Sequence, residues 1–187
     1  MEDDGMEIVQ EVLRPAFQRR LDAYIEEQYV PEGTQEKKVK IVKGGLPPIL
    51  GAIGCVLPGH LTTEDIRELL EEKEDTFSER LLALIRGKHL RASDVYRKAG
   101  LTKALFSKIR HDVDYKPSKD TVLCLIFALA LTEDEADDLL RRAGYSFSPS
   151  QVRDIIIQYF VKEGILDIDA VDEVLFDRHL KTLHKDE

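Results

Sequence analysis

Basic side chains are the ones in this sequence whose clustering indicates a binding surface, and they lie in one stretch. Between residues 86 and 119 there are ten Lys and Arg side chains and three acids, for a local charge of +7. Because the whole chain carries −9, the remaining residues carry −16. Clustered cations in an acidic protein are typical of a surface that contacts nucleic acid phosphates. The same charges would also suit a surface that is merely well solvated.

Two short helices joined by a glycine turn are predicted within this stretch, in the run LRASDVYRKAGLTKALFSKIR. Gly100 falls where the chain must turn sharply between them, and the second helix is expected to begin at Thr102. On a helix that starts there, Phe106 and Ile109 face inward. Its other face is therefore polar and positive, and it is the first candidate for a binding surface.

The same run resembles the helix-turn-helix of the Cro/repressor-like (XRE) family. The likeness continues into PSKDTVLCLIFALAL, which is similar to the fourth helix of that family. The matching positions there are Pro117, Ser118, Thr121, Ala128 and Leu129. The resemblance implies a compact five-helix domain and a function in DNA binding.

Two positions depart from the pattern of that family. Tyr96 stands where a small residue is common, which would set the two helices further apart. Arg91 stands at the expected cap of the first motif helix, where Ser or Thr is favoured, and Ser93 could cap a shorter helix instead.

A closer resemblance covers about residues 73–175. The runs LFSKIR, YKPSKDT, LLRRAGYSFSPS and IIIQYFVKEG are similar to the helical domain found behind macro domains in some bacterial proteins. The run AYIEEQYV is similar, more faintly, to the end of the macro domain itself. This resemblance implies that the chain carries the tail and the linker of such a fusion without the ADP-ribose-binding core.

A second motif helix that binds DNA is expected to enter the major groove by its N-terminal half. Lysines can donate to guanine edges or to phosphates, a serine can contact either, and a helix N-terminus suits a phosphate oxygen. The predicted DNA-binding residues are Thr102, Lys103, Ala104, Ser107, Lys108 and Arg110 on that helix, with Lys116 and Lys119 as phosphate contacts beside the next one.

The whole chain is predicted to be an all-α protein with four parts. An N-terminal amphipathic helix covers 1–30, and Pro15 either kinks it or begins a second helix. A Pro- and Gly-rich linker covers 31–61, and its apolar segment at 46–57 is expected to pack on its own domain, a second copy of the chain or a partner. The helix-turn-helix domain covers 62–147, and a C-terminal helical extension covers 148–187.

Cap and stop residues predict several helix boundaries. Thr76 with Glu79, and Thr132 with Glu135, form capping-box pairs. The glycines at 87 and 144 are predicted stops, and a last helix is expected over roughly 170–183. The run from Ser118 is apolar nearly all round, which predicts a central buried helix.

Other classes of function find no support in the residues. The histidines show no metal-ligand spacing, and there is no nucleophile elbow or phosphate-binding glycine loop. We therefore expect no catalytic, cofactor-binding or metal site. Cys55 and Cys124 are too few for a disulfide framework, no apolar run could span a bilayer, and the N-terminus is acidic, so a cytoplasmic protein without membrane partners is expected.

The sequence thus favours a sequence-specific DNA-binding transcriptional regulator that acts as a homodimer on duplex DNA. The alternative is a non-catalytic protein-interaction module, an adaptor or antitoxin-like protein that keeps the fold without specific DNA binding. The apolar 46–57 segment would then contact the partner protein.

Overall fold

A computed structural model describes residues 2–31, 75–112 and 115–184 of the chain. All regular secondary structure in those ranges is helical, which confirms the all-α class. The helices are α1 (Glu2–Val12), α2 (Pro15–Gln28), α3 (Phe77–Gly87), α4 (Ala92–Lys98), α5 (Lys103–His111), α6 (Lys119–Ala128), α7 (Glu133–Arg142), α8 (Val152–Lys162) and α9 (Ile168–Asp177). The predicted linker at 31–61, its apolar 46–57 segment and residues 62–74 fall outside the described residues, apart from Pro31.

Side-chain caps begin the helices where the sequence predicts them. Thr76 accepts a hydrogen bond from the Glu79 amide at 3.3 Å, and the Glu79 carboxylate accepts one from the Thr76 amide at 2.8 Å. Thr132 and Glu135 form the same reciprocal pair at the start of α7. Both capping boxes are confirmed. Pro15 occupies the first turn of α2, so the chain begins a new helix there.

Many of the helices end in a residue with left-handed backbone conformation. The amide of that residue and the next amide both donate back into the helix, as His89 does to the Arg86 carbonyl at 3.0 Å and Leu90 does to the Ile85 carbonyl at 3.1 Å. The predicted stop at Gly87 is wrong in detail, because Gly87 is still helical and His89, at φ 54°, takes the left-handed position. The residues with positive φ in the described ranges are His89, Gly100, Ala130, Gly144, Gly164 and His179.

The core is organised around α6, whose residues from Val122 to Ala128 are all buried. The described residues all belong to one compact unit. Within it α1 packs on α9 and α2 packs on α8. The Phe17 ring of α2 makes edge-on contacts with Tyr159 and Phe160 of α8, with centroids 5.7 and 5.5 Å apart. The N-terminal helices therefore share the core of the helices that follow.

The last helix is shorter than predicted. α9 ends at Asp177, and His179 then adopts a φ of 57° that turns the chain out of the helix. Leu183 is nevertheless buried, with 4% of its surface exposed. The predicted end near residue 183 is therefore wrong, and the residues after Asp177 form a non-helical tail with a buried leucine. None of the helices in the described ranges is long and apolar enough to cross a membrane.

Candidate nucleic-acid interface

The turn between α4 and α5 is built around Gly100, which has a φ of +63°. The Leu101 amide donates to the Tyr96 carbonyl at 2.8 Å, and the Gly100 amide donates to the Arg97 carbonyl at 3.1 Å. This pair of bonds closes α4 and needs a residue that tolerates positive φ. Thr102 then caps α5, its hydroxyl accepting from the Leu105 amide at 3.1 Å. The predicted glycine turn and the predicted start of the second helix are both confirmed.

α5 has one buried and one exposed face. Phe106 and Ile109 are buried, as the spacing predicts. The five predicted contact residues of this helix are all exposed, and each lies three or four positions from at least one other, so they share one side of the helix. They are Lys103, Ala104, Ser107, Lys108 and Arg110.

Two contacts hold α5 against its neighbours. The Tyr96 ring packs on the Phe106 ring with centroids 5.7 Å apart, so the large residue in α4 fills the space between the two helices. Ser78 of α3 is buried and its hydroxyl donates to the Ile109 carbonyl at 2.6 Å. Sequence reasoning missed Ser78, because its partner lies 31 positions away and no local pattern indicates it.

Of the two predicted starts of α4, an uncapped one at Arg91 and a shorter helix capped by Ser93, the structure has the uncapped one. Arg91 is the N-cap and makes no side-chain cap, and Ser93 lies inside the helix. Asp94 in the first turn accepts instead from Arg91 at 2.8 Å and from Arg97 at 2.6 Å. These two hydrogen bonds hold the pKa of Asp94 below its ordinary value. Both arginines are thereby partly neutralised.

Two lysines of the basic stretch form ion pairs with carboxylates of other helices and stabilise the fold. The Lys119 ammonium contacts the carboxylate of Asp154 in α8 and also donates to the Ser146 carbonyl at 2.8 Å. Asp154 is only 1% exposed, so Lys119 balances a buried charge. Lys88 similarly lies 3.0 Å from the Glu135 carboxylate. Lys119 was predicted to contact phosphate, and we leave it out of the interface because its donors point inward.

The other cations of the stretch stay at the surface. The Lys108 ammonium lies 4.7 Å from the centroid of the Tyr115 ring, which limits where the lysine can point. Within the described ranges the cations of this stretch that lie more than 4.0 Å from every carboxylate are Arg86, Lys98, Lys103, Lys108, Arg110 and Lys116.

A segment that sequence reasoning did not connect with this region lies beside the turn. Residues 181–184, which we call the C-terminal strap, pass close to Gly100, and the His184 ring lies 3.2 Å from the place where a Cβ at Gly100 would be. A cleft of about 380 Å³ lies between the turn, the first turn of α6 and the strap. Cys124, Leu183 and Thr102 are among its lining residues.

The Cys124 thiol in this cleft is not an activated nucleophile. Burial raises the pKa of the Cys124 thiol to about 11, and the carboxylates of Asp172 and Asp120 add to the effect. The thiol is therefore protonated at neutral pH. Among the described residues no group of three or more His, Cys, Asp or Glu side chains could hold a metal ion.

In comparisons with known proteins, no family model, no curated protein and no solved structure matches this chain. The resemblance to Cro/repressor-like domains remains an inference from the residues quoted above.

Proposed function

We propose that this protein is a sequence-specific DNA-binding transcriptional regulator that inserts α5 into the major groove of duplex DNA. The observation that carries the proposal is the outer face of α5, where Lys103, Ser107 and Lys108 are all exposed to solvent on the same side of the helix. A capped helix N-terminus precedes them and a tight glycine turn sets the helix against α4. A short exposed helix of this kind fits the width of the major groove.

The roles follow from the chemistry of the side chains. Lys103 and Lys108 donate to guanine edges or phosphates, and Ser107 donates or accepts at a base edge. Ala104 leaves room for close approach or for a thymine methyl group. Thr102 and the first amides of α5 suit a phosphate oxygen. Arg110 and Lys116 extend the positive surface to the sugar–phosphate backbone.

A homodimer is part of this proposal. A single short helix contacts few base pairs, and two copies related by a two-fold axis would place their α5 helices about 34 Å apart on successive major grooves. We therefore expect the preferred DNA sequence to be a palindrome.

The proposal is tested by selecting duplexes from a random DNA library and then titrating the winning duplex with salt. Lys103→Ala/Lys108→Ala is compared with Arg19→Ala/Lys162→Ala, a control that also removes two exposed cations but lies on α2 and α8. We expect the first variant to bind at least about tenfold more weakly at moderate salt and to lose about two units of salt slope.

Either of two results would count against the proposal. One is the absence of a preferred duplex, with weak binding that ignores sequence. The other is an equal loss in both double variants, since it would place the effect in overall charge and not in α5.

A second candidate is a non-catalytic protein-interaction module with the same fold. It is favoured by the ion pairs of the basic stretch, because four of its cations pair with carboxylates. They are Lys88, Arg91, Arg97 and Lys119. A protein of this kind would bind no duplex selectively. It would be recognised by a stable complex with a partner protein that survives Lys103→Ala/Lys108→Ala.

A further inference from the structure

The C-terminal strap is fastened at several points. The Asp172 carboxylate on α9 accepts from the Leu183 amide at 2.5 Å and from the His184 amide at 2.9 Å. Arg153 on α8 donates to the Lys181 carbonyl at 2.7 Å. These hydrogen bonds join the C-terminal strap to both α8 and α9.

The strap also connects the two sides of the cleft. Leu183 lies against α6, where its carbonyl is 3.9 Å from the Cys124 sulfur. The next residue places its imidazole against Gly100, at the turn that leads into α5. A displacement of the strap would therefore remove packing from the turn and uncover Cys124.

We propose that the C-terminal strap is a positioning element for the helix-turn-helix, and that duplex DNA binds tightly only when the strap is docked against Gly100. This inference rests on the proposed DNA-binding function. It adds a dependence on α9, which supplies none of the proposed DNA contacts.

The test uses two neighbouring aspartates of α9 that carry the same charge. Asp172 accepts from two amides of the strap and lies 3.1 Å from Nδ1 of His184. Asp169 is 83% exposed on its side chain, and among the described residues it reaches only the His184 ring, at 3.8 Å. Asp172→Ala and Asp169→Ala each remove one negative charge, which by itself strengthens binding to DNA slightly. We expect Asp169→Ala to bind the selected duplex as wild type or slightly better. Asp172→Ala is expected to bind about fivefold or more weakly, against the direction of its charge change.

A charge-neutral variant guards against a folding defect in Asp172→Ala. Leu183→Ala keeps every charge and trims the side chain that seats the strap. It is expected to weaken DNA binding as well, while Leu180→Ala, which trims a less buried residue before the strap, has a smaller effect. Thermal unfolding of all four variants shows whether each is folded at the temperature of the binding assay.

A second readout separates positioning from a general loss of stability. In a Cys55→Ser background, the rate at which a thiol reagent modifies Cys124 reports opening of the strap. If DNA binds more tightly to the docked strap, bound DNA must in turn stabilise the docked strap. DNA is therefore expected to slow the modification of Cys124, by about the factor by which docking of the strap raises DNA affinity. Asp172→Ala is not used in this readout, since removal of that carboxylate also changes the pKa of the thiol.

The outcomes are distinct. A wild-type protein that binds no duplex overturns the proposed function and this inference with it. Selective DNA binding with equal affinities for Asp172→Ala and Asp169→Ala overturns only the inference. So does faster modification of Cys124 in the presence of DNA, because the strap would then oppose binding.

Discussion

The Ser78 hydroxyl of α3 donates a 2.6 Å hydrogen bond to the carbonyl of Ile109, in the last turn of α5. Carbonyls in the last turn of a helix lack partners within it, and this one is buried. The bond therefore satisfies a polar group that water cannot reach and fixes the end of the helix that we propose to read DNA.

Ser78→Ala is accordingly expected to lower the free energy of unfolding by about 1–3 kcal/mol, since it leaves a buried carbonyl without its donor. Urea unfolding followed by circular dichroism measures the change. Ser107→Ala, an exposed position on α5, serves as the control and is expected to stay within about 0.5 kcal/mol of wild type. Equal stability of the two variants would mean that the hydroxyl of Ser78 contributes nothing.

Lys116 and Lys119 were both predicted as phosphate contacts, and the structure gives them different surroundings. Lys119→Met leaves the buried Asp154 without its cation and is expected to destabilise the protein by about 3–5 kcal/mol. Lys116→Met changes an exposed side chain, so its unfolding free energy should stay within about 0.5 kcal/mol of wild type. Instead it should reduce the salt slope of DNA binding by about one unit. Denaturant unfolding and salt titrations of both variants check the pair, and reversed roles would contradict it.

These two lysines also show what sequence can predict. Each flanks the start of a helix in a basic stretch, and nothing local distinguishes them. The difference lies in Asp154, 35 positions further on, whose burial is a property of the packed structure. The capping boxes and the turn at Gly100 depend on residues within about four positions, and those predictions are confirmed. The contact of the strap with Gly100 spans most of the domain and left no sign in the sequence.

The adjacent carboxylates Asp137 and Asp138 are shifted in opposite directions. Burial raises the pKa of Asp137, and the like charges of Glu133 and Asp134 add to this effect. Burial also acts on Asp138, but hydrogen bonds from Arg142, Arg80 and Arg141 outweigh it and lower its pKa. The surroundings therefore disfavour the ionised form of Asp137 and favour the ionised form of Asp138.

Asp137→Asn is expected to stabilise the protein at neutral pH by about 0.2–0.5 kcal/mol, the usual size of a repulsion between like charges one turn apart. Asp138→Asn is expected to destabilise it by about 1–2 kcal/mol, because charged hydrogen bonds are lost. The gain from Asp137→Asn disappears as the pH falls through the raised pKa of Asp137, where the wild-type carboxyl becomes neutral.

The loss from Asp138→Asn shrinks only at lower pH. A lowered pKa contributes stability above the ordinary value of about 4, and this stability is lost as the pH falls through the folded value. Urea unfolding of wild type and both variants between neutral pH and about pH 3 measures both trends. Parallel pH profiles for the three proteins would contradict the assignment.

Ala130 follows α6 with a φ of 49°, a conformation that costs a residue with a Cβ about 1–2 kcal/mol. Glycine removes that strain but makes the unfolded chain more flexible, which offsets about 0.4–1 kcal/mol. Ala130→Gly is therefore expected to raise the free energy of unfolding by about 0.5–1 kcal/mol, the net of those two effects.

Gly144 occupies the equivalent position after α7 with a φ of 81° and open space around it. Gly144→Ala should therefore destabilise by a similar net amount, since the new methyl group meets no atom and only the backbone strain opposes the less flexible unfolded chain. Urea unfolding of both variants decides the matter, because changes of the same sign would show that strain at these helix ends is not what sets their stability.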